Sequence, residues 1–196
     1  RFDKGERTIN SLNKKRNGKG LSYHYIIDAA GHIEQLIPDN ARGFHGTISN
    51  RNSIGISLLN LGYKRSSVED PTTGQPKRHT HSSTKPDNPG KWVDILGYDG
   101  KPDPYRSSEQ AQEMTDEQIT ALKSLVKKLS AKHNIPYQWN GKSTYDILFP
   151  PSQKITYKKD VPGIYTHGSI STGKKDVIPT LKVLAFFKDL KLGGIA

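Results

Sequence analysis

Apolar residues in this 196-residue chain recur with two periods. Tyr23, Tyr25 and Ile27 alternate with Ser22, His24 and Ile26, the period-two pattern of a strand. Asp28-Ala29-Ala30-Gly31 reads as a turn in which Gly31 can take a positive φ. His32 to Ile37 reads as a second strand, making the pair a hairpin. Ile54, Ile56 and Leu58 alternate with Gly55 and Ser57, which marks a third strand with one apolar face. The strands are expected at about 22–28, 32–37 and 53–59.

The second period is helical. Thr8 to Asn17 predicts a short helix, with Ile9 and Leu12 on one face and Asn17-Gly18 as its stop. Thr115 and Gln118 form a capping-box pattern at the head of a helix over about 115–133. There Ile119, Leu122, Val126 and Leu129 make the core stripe, while Lys123, Lys127 and Lys128 face outward. Asn134 and Pro136 end it. A last helix over about 180–192 begins near Pro179, a good first-turn residue. It runs through Leu181, Leu184, Phe187 and Leu190 and stops at Gly193-Gly194. Short strands followed by helices predict an α/β fold, a mixed central sheet flanked by helices in one domain over 1–196.

Two stretches break the pattern. Residues 61–112 are dominated by Gly, Pro, Ser, Asp and Lys and read as a long loop insertion, a feature that tends to be functional or mobile. His79 and His81 lie in it, spaced for metal binding but more simply read as solvated. Residues 137–162 form a second insertion, where Tyr137, Trp139, Tyr145 and Phe149 can stack on sugar rings or pin the loop to the body.

Charge adds a partner class. Lys and Arg outnumber Asp and Glu by 30 to 19, a formal net charge of +11. Such a surface gathers polyanions, nucleic acid or bacterial cell wall. The basic residues are scattered without a nucleic-acid fold signature, which favours the wall. No apolar run approaches the roughly 20 residues of a membrane span. With no cysteine in the chain, disulfides and thiolate ligands are excluded.

The segment from Thr166 to Pro179 carries the densest chemistry. It places His167, Lys174 and Asp176 on one short loop. This spacing can aim His167 and Asp176 at one metal ion and leave Lys174 beside it. Zinc catalysis needs N and O ligands with one position left for water, and a nearby cation can stabilise an oxyanion. A solvated Gly/Ser/Lys turn ahead of a helix is the plain alternative.

Five pieces, in order, carry a resemblance: Tyr23-His24-Tyr25-Ile26-Ile27-Asp28, Gly31-x-Ile33-x-Gln35-Leu36-Ile37-Pro38, His45-Gly46, Asn52-Ser53-Ile54-Gly55-Ile56, and His167…Lys174-x-Asp176. Together they resemble the zinc-dependent N-acetylmuramoyl-L-alanine amidases of the amidase-2 type, which include phage lysozyme-amidases and peptidoglycan-recognition proteins. The resemblance covers roughly residues 8–60, 113–135 and 163–190. It implies an amidase-2 fold and zinc held in part by His167 and Asp176, a carboxylate where some members use Cys. It implies Tyr23 near the attacking water and Lys174 supporting the oxyanion, with His24, His45 and Asn52 on the substrate side. Where some members place a general-base Glu, Ser57 stands.

The family's first zinc His, on a strand before the first helix, has no counterpart here; we expect that strand to lie ahead of Arg1. The resemblance implies hydrolysis of the amide joining muramic acid to L-alanine, by a lytic enzyme of phage origin or one secreted against bacteria, acting on the cell wall. A non-catalytic peptidoglycan-binding module and a basic nucleic-acid-binding domain stay open as alternatives.

Overall fold

In a computed structural model, residues 22–60, 63–65, 91–97, 99–103, 109–136, 148–150, 154–158, 161–172, 174 and 177–190 are described. The expected helix at 8–17, His79, His81, Tyr137, Trp139, Tyr145, Asp176 and Gly193-Gly194 lie outside them.

The central sheet has three strands: β1 (Tyr25–Ile27), β2 (Ile33–Gln35) and β3 (Ile56–Leu58), in the order β2-β1-β3. The hairpin forms as expected, with Tyr25 opposite Gln35 and antiparallel pairing, while β3 runs parallel to β1 with Tyr25 beside Ile56. The mixed sheet and its helices bear out the α/β class. Asp28 shapes the hairpin turn, its Oδ1 accepting from the Ala30 and His32 amides at 2.9 Å each, and Gly31 takes φ 82°.

Each strand is shorter than its sequence pattern, and β1 does not divide into an inner and an outer face. Tyr25, Ile26 and Ile27 are all buried. As the central strand it is covered on both sides, so alternation loses its meaning there. Strand β2 is an exposed edge.

Helix α1 (Asp116–His133) supplies the core face. Leu122, Val126 and Leu129 are buried as expected, with Leu125 added, against Tyr25, Ile27 and the last helix. Thr115 caps it, its hydroxyl accepting from the Gln118 amide at 3.1 Å, and Asn134 closes it in the left-handed conformation. The capping box is only half made. The Gln118 side chain is buried and donates instead to the Ile27 carbonyl at 3.1 Å, tying α1 to the end of β1.

Helix α3 runs Leu181–Asp189, shorter than expected. Thr180 rather than Pro179 starts it, accepting from the Val183 amide, and it ends before the glycines. Val183, Leu184, Phe186 and Phe187 are buried, but Leu181 is 66% exposed, so the stripe is rotated from the one the sequence suggested. Phe149 packs edge-on against Phe187 at 5.7 Å, which makes it a pin for its segment.

The 61–112 stretch differs most from its reading as a loop. It holds a second antiparallel sheet, β4 (Tyr63–Arg65), β5 (Trp92–Asp94) and β6 (Glu109–Gln112), in the order β4-β6-β5. Few apolar residues suffice because the sheet is small. Ile95 and Ala111 bury Ile178 between them, and the Leu96 amide donates to the Pro179 carbonyl at 3.0 Å. The second sheet thus braces the chain at Ile178 and Pro179, just beyond Lys174.

A buried carboxylate joins α1 to the central sheet. Asp39 accepts from Tyr25 Oη at 2.5 Å, Lys132 Nζ at 2.8 Å and His133 Nε2 at 2.9 Å. Burial alone would raise its pKa, but the bonds from Lys132, Tyr25 and His133 outweigh that and hold it well below the usual carboxylate range. Burial, then the bond to Asp39, pushes the Tyr25 phenol up to about 12. Replacing Asp39 by Asn removes the charge from three donors at once. Asp39→Asn should lower unfolding stability by about 2 kcal/mol, the scale of charge-assisted hydrogen bonds. Urea denaturation at neutral pH measures it.

Candidate active site

His24 is the framework of the site. It is fully buried, and both ring nitrogens are taken by backbone: Nδ1 accepts from the Gly55 amide at 3.0 Å and Nε2 donates to the Ala41 carbonyl at 3.0 Å. A proton on Nε2 and a lone pair on Nδ1 follow from those partners. His24, expected on the substrate side, is here enclosed within the wall of the site. It has no free polar atom and no surface to offer a ligand.

His45 packs on the other side of these backbone segments. Its ring meets His24 edge-on at 5.6 Å and lies nearly parallel to Tyr23 at 5.9 Å and 23°. Two glycines make the room. A Cβ on Gly43 or on Gly55 would stand 2.5 Å from His45 Cδ2, closer than any real contact. His45 Nε2 is buried and has no partner among the described residues. Its ring bonds to the Ser53 backbone, and with Nε2 unpartnered that bond belongs to Nδ1. Nδ1–H then donates to the carbonyl, and Nε2 presents a bare lone pair.

Burial above all, then the neighbouring rings of His24 and His167, pushes the pKa of His45 down to about 4, against the smaller opposing pull of Ser53. The imidazole is neutral at physiological pH and can accept, but not donate, at Nε2.

His167 opens the short helix α2 (His167–Ile170). Its position is set from three sides. The buried Thr166 hydroxyl donates to the Leu148 carbonyl, and the buried Ser169 hydroxyl donates to the Thr166 carbonyl at 2.7 Å. The amides of Thr156 and Tyr157 both donate to the Ser169 carbonyl, at 3.0 and 2.9 Å. This lays residues 154–158 across the turn as a strap. Tyr157 then reaches the opposite segment, its hydroxyl donating to Asn52 Oδ1 at 3.0 Å.

Tyr23, His45, Asn52, Tyr157 and His167 line one cavity of about 720 Å³, which extends past Ser57 of β3 to buried side chains of α1 such as Leu122 and Val126. Sequence-predicted Tyr23, His45, Asn52 and His167 are thus brought together. Lys174 is exposed on the loop after α2 and does not line this cavity. Asp176 is outside the described residues. Tyr157 escaped the sequence reading. It lies in a polar insertion, and nothing local links it to Asn52, 105 residues earlier.

A family model describing N-acetylmuramoyl-L-alanine amidases matches residues 3–177. The chain belongs to that family. The match spans both the Tyr23-to-Ile56 strands and the His167 loop, so the cavity between them lies where the family's own sequence pattern falls. No curated protein and no solved structure matches the chain significantly.

The described residues contain no group of three His, Cys, Asp or Glu able to hold an ion. His24 has no lone pair to give, because Nδ1 already accepts from Gly55. His167 lines the cavity wall.

Two outcomes follow from the packing. Gly55→Ala drives a methyl into the His45 ring and should cost about 1–3 kcal/mol of stability, as overpacking does, read by chemical denaturation. The depressed pKa of His45 sets a pH dependence. An unfolded His binds its proton near pH 6.5 and the folded one only near 4, so this residue's contribution is complete above pH 6.5 and is lost as pH falls toward 4. The drop in melting temperature between pH 7 and 4.5 should be smaller in His45→Gln than in the parent.

Proposed function

We propose that the chain hydrolyses the amide between N-acetylmuramic acid and the L-alanine of the peptidoglycan stem peptide, as a zinc-dependent lytic enzyme acting on the bacterial cell wall. The observation that carries this reading is the joint placement of Tyr23, His45 and His167 on one cavity in a chain of the amidase family. His167 and Asp176 would hold the zinc with a further ligand. Bound zinc would supply an acidified water and a polarised carbonyl.

The chain's own residues have distinct parts. Tyr23, stacked on His45, has its phenol on the cavity where a reacting water can be positioned. His45, on the cavity wall, stands on the substrate side, its ring stacked on Tyr23. Asn52 and Tyr157 form the far wall of the substrate groove. Lys174 supplies a cation for the developing oxyanion when substrate fills the site. Ser57, in the middle of β3, cannot act as a base at neutral pH, so proton handling falls to Tyr23.

Release of soluble stem peptide from purified peptidoglycan tests the assignment. His167→Ala should abolish it. Tyr23→Phe and Lys174→Ala should each slow it by about 10²-fold or more, the scale of a lost acid/base group or oxyanion donor. Undiminished release by His167→Ala would show that the chemistry lies elsewhere.

A further inference from the structure

One lip of the groove is cationic. Arg51 precedes Asn52, Lys154 and Lys158 flank Tyr157, and Lys174 follows α2; all four are exposed. The Tyr157–Asn52 bond and the strap's two bonds to Ser169 bring these three segments side by side. Among the described residues, none of the four charged ends sits in an ion pair. Three other described lysines do pair: Lys123 with Asp189, Lys132 with Asp39, and Lys182 with Asp116. In sequence, Lys159 is followed by Asp160 and Lys175 by Asp176, pairs that add no net charge.

We propose that this lip binds a phosphodiester polymer anchored to the bacterial wall, beside the glycan strand that the groove takes. The inference rests on the amidase reading for its placement. Exposed cations contributed by three segments, with no buried donor among them, suit a flexible polyanion better than a single bound phosphate. Single-stranded nucleic acid offers the same charge but asks for open aromatic faces as well, and duplex DNA is a competitor in the test below. Tyr157, the strap's aromatic, is occupied: its ring packs edge-on against Tyr165 at 4.8 Å and its hydroxyl holds Asn52.

The test is sedimentation of the full chain with purified Gram-positive sacculi, intact or stripped of phosphodiester polymer by hydrofluoric acid, in chelator and in the cold to stop cleavage. Lys154→Glu/Lys158→Glu should weaken binding to intact sacculi about tenfold and flatten its salt dependence, as loss of two phosphate contacts does. On stripped sacculi, parent and variant should bind alike. Equal weakening on both, or on neither, overturns the proposal, as does tighter binding of the parent to duplex DNA than to intact sacculi at the same salt. Circular dichroism melting checks that the variant is folded. If it is not, Arg51→Gln/Lys154→Gln replaces it, with a loss of about threefold expected on intact sacculi alone. Stem-peptide release from stripped sacculi by the parent reads the amidase separately, so the two proposals can fail independently.

Discussion

The site depends on one buried imidazole. His24 joins the carbonyl of Ala41 to the amide of Gly55, reinforcing the backbone bonds by which Ser22 holds Phe44 and the His24 and Tyr25 amides hold the Gly55 carbonyl. The same pair of segments contributes Gly43 and Gly55, whose missing side chains leave the space His45 fills. Because a buried imidazole with one donor and one acceptor satisfies two backbone groups at once, it holds the groove wall without exposing a polar atom. Tyr23 precedes His24 in the chain, so locking His24 also sets where Tyr23 begins and which ring it stacks on.

The two histidines therefore carry opposite tautomers for different ends. His24 spends both nitrogens on the backbone. His45 spends only Nδ1, and its remaining lone pair is kept uncharged by burial and by the rings around it. The opposite wall comes from farther along the chain, where the strap at 154–158 fixes the α2 turn by its amides and reaches Asn52 by its tyrosine.

Local patterns made much of this legible. Asp28 and Gly31 foretold the hairpin, and Thr115 with Asn134 bounded α1 closely, because caps and turns are decided by residues a few positions apart. Tyr23, His45 and His167 were singled out by the resemblance of ordered motifs to the family, and they line one cavity. What escaped was long-range. Gln118 looked like a capping partner but was drawn to the Ile27 carbonyl by burial. His24 looked like a groove residue because its two backbone partners lie 17 and 31 positions away. The second sheet was hidden because its three short strands rely on Ile178, far downstream, for much of their apolar cover. Leu181 fitted the helical stripe, yet α3 starts at Thr180 and turns that residue outward.

Family membership points to the bacterial wall, and the bond that is cut is the point on which the account turns. Exhaustive digestion of purified peptidoglycan, followed by mass spectrometry and end-group analysis, reads that bond directly. The account predicts stem peptides with a free L-alanine amino group, glycan strands whose lactyl groups have become carboxylic acids, and no new reducing sugar ends. New reducing ends, or new amino groups only within the stem peptide, would contradict it.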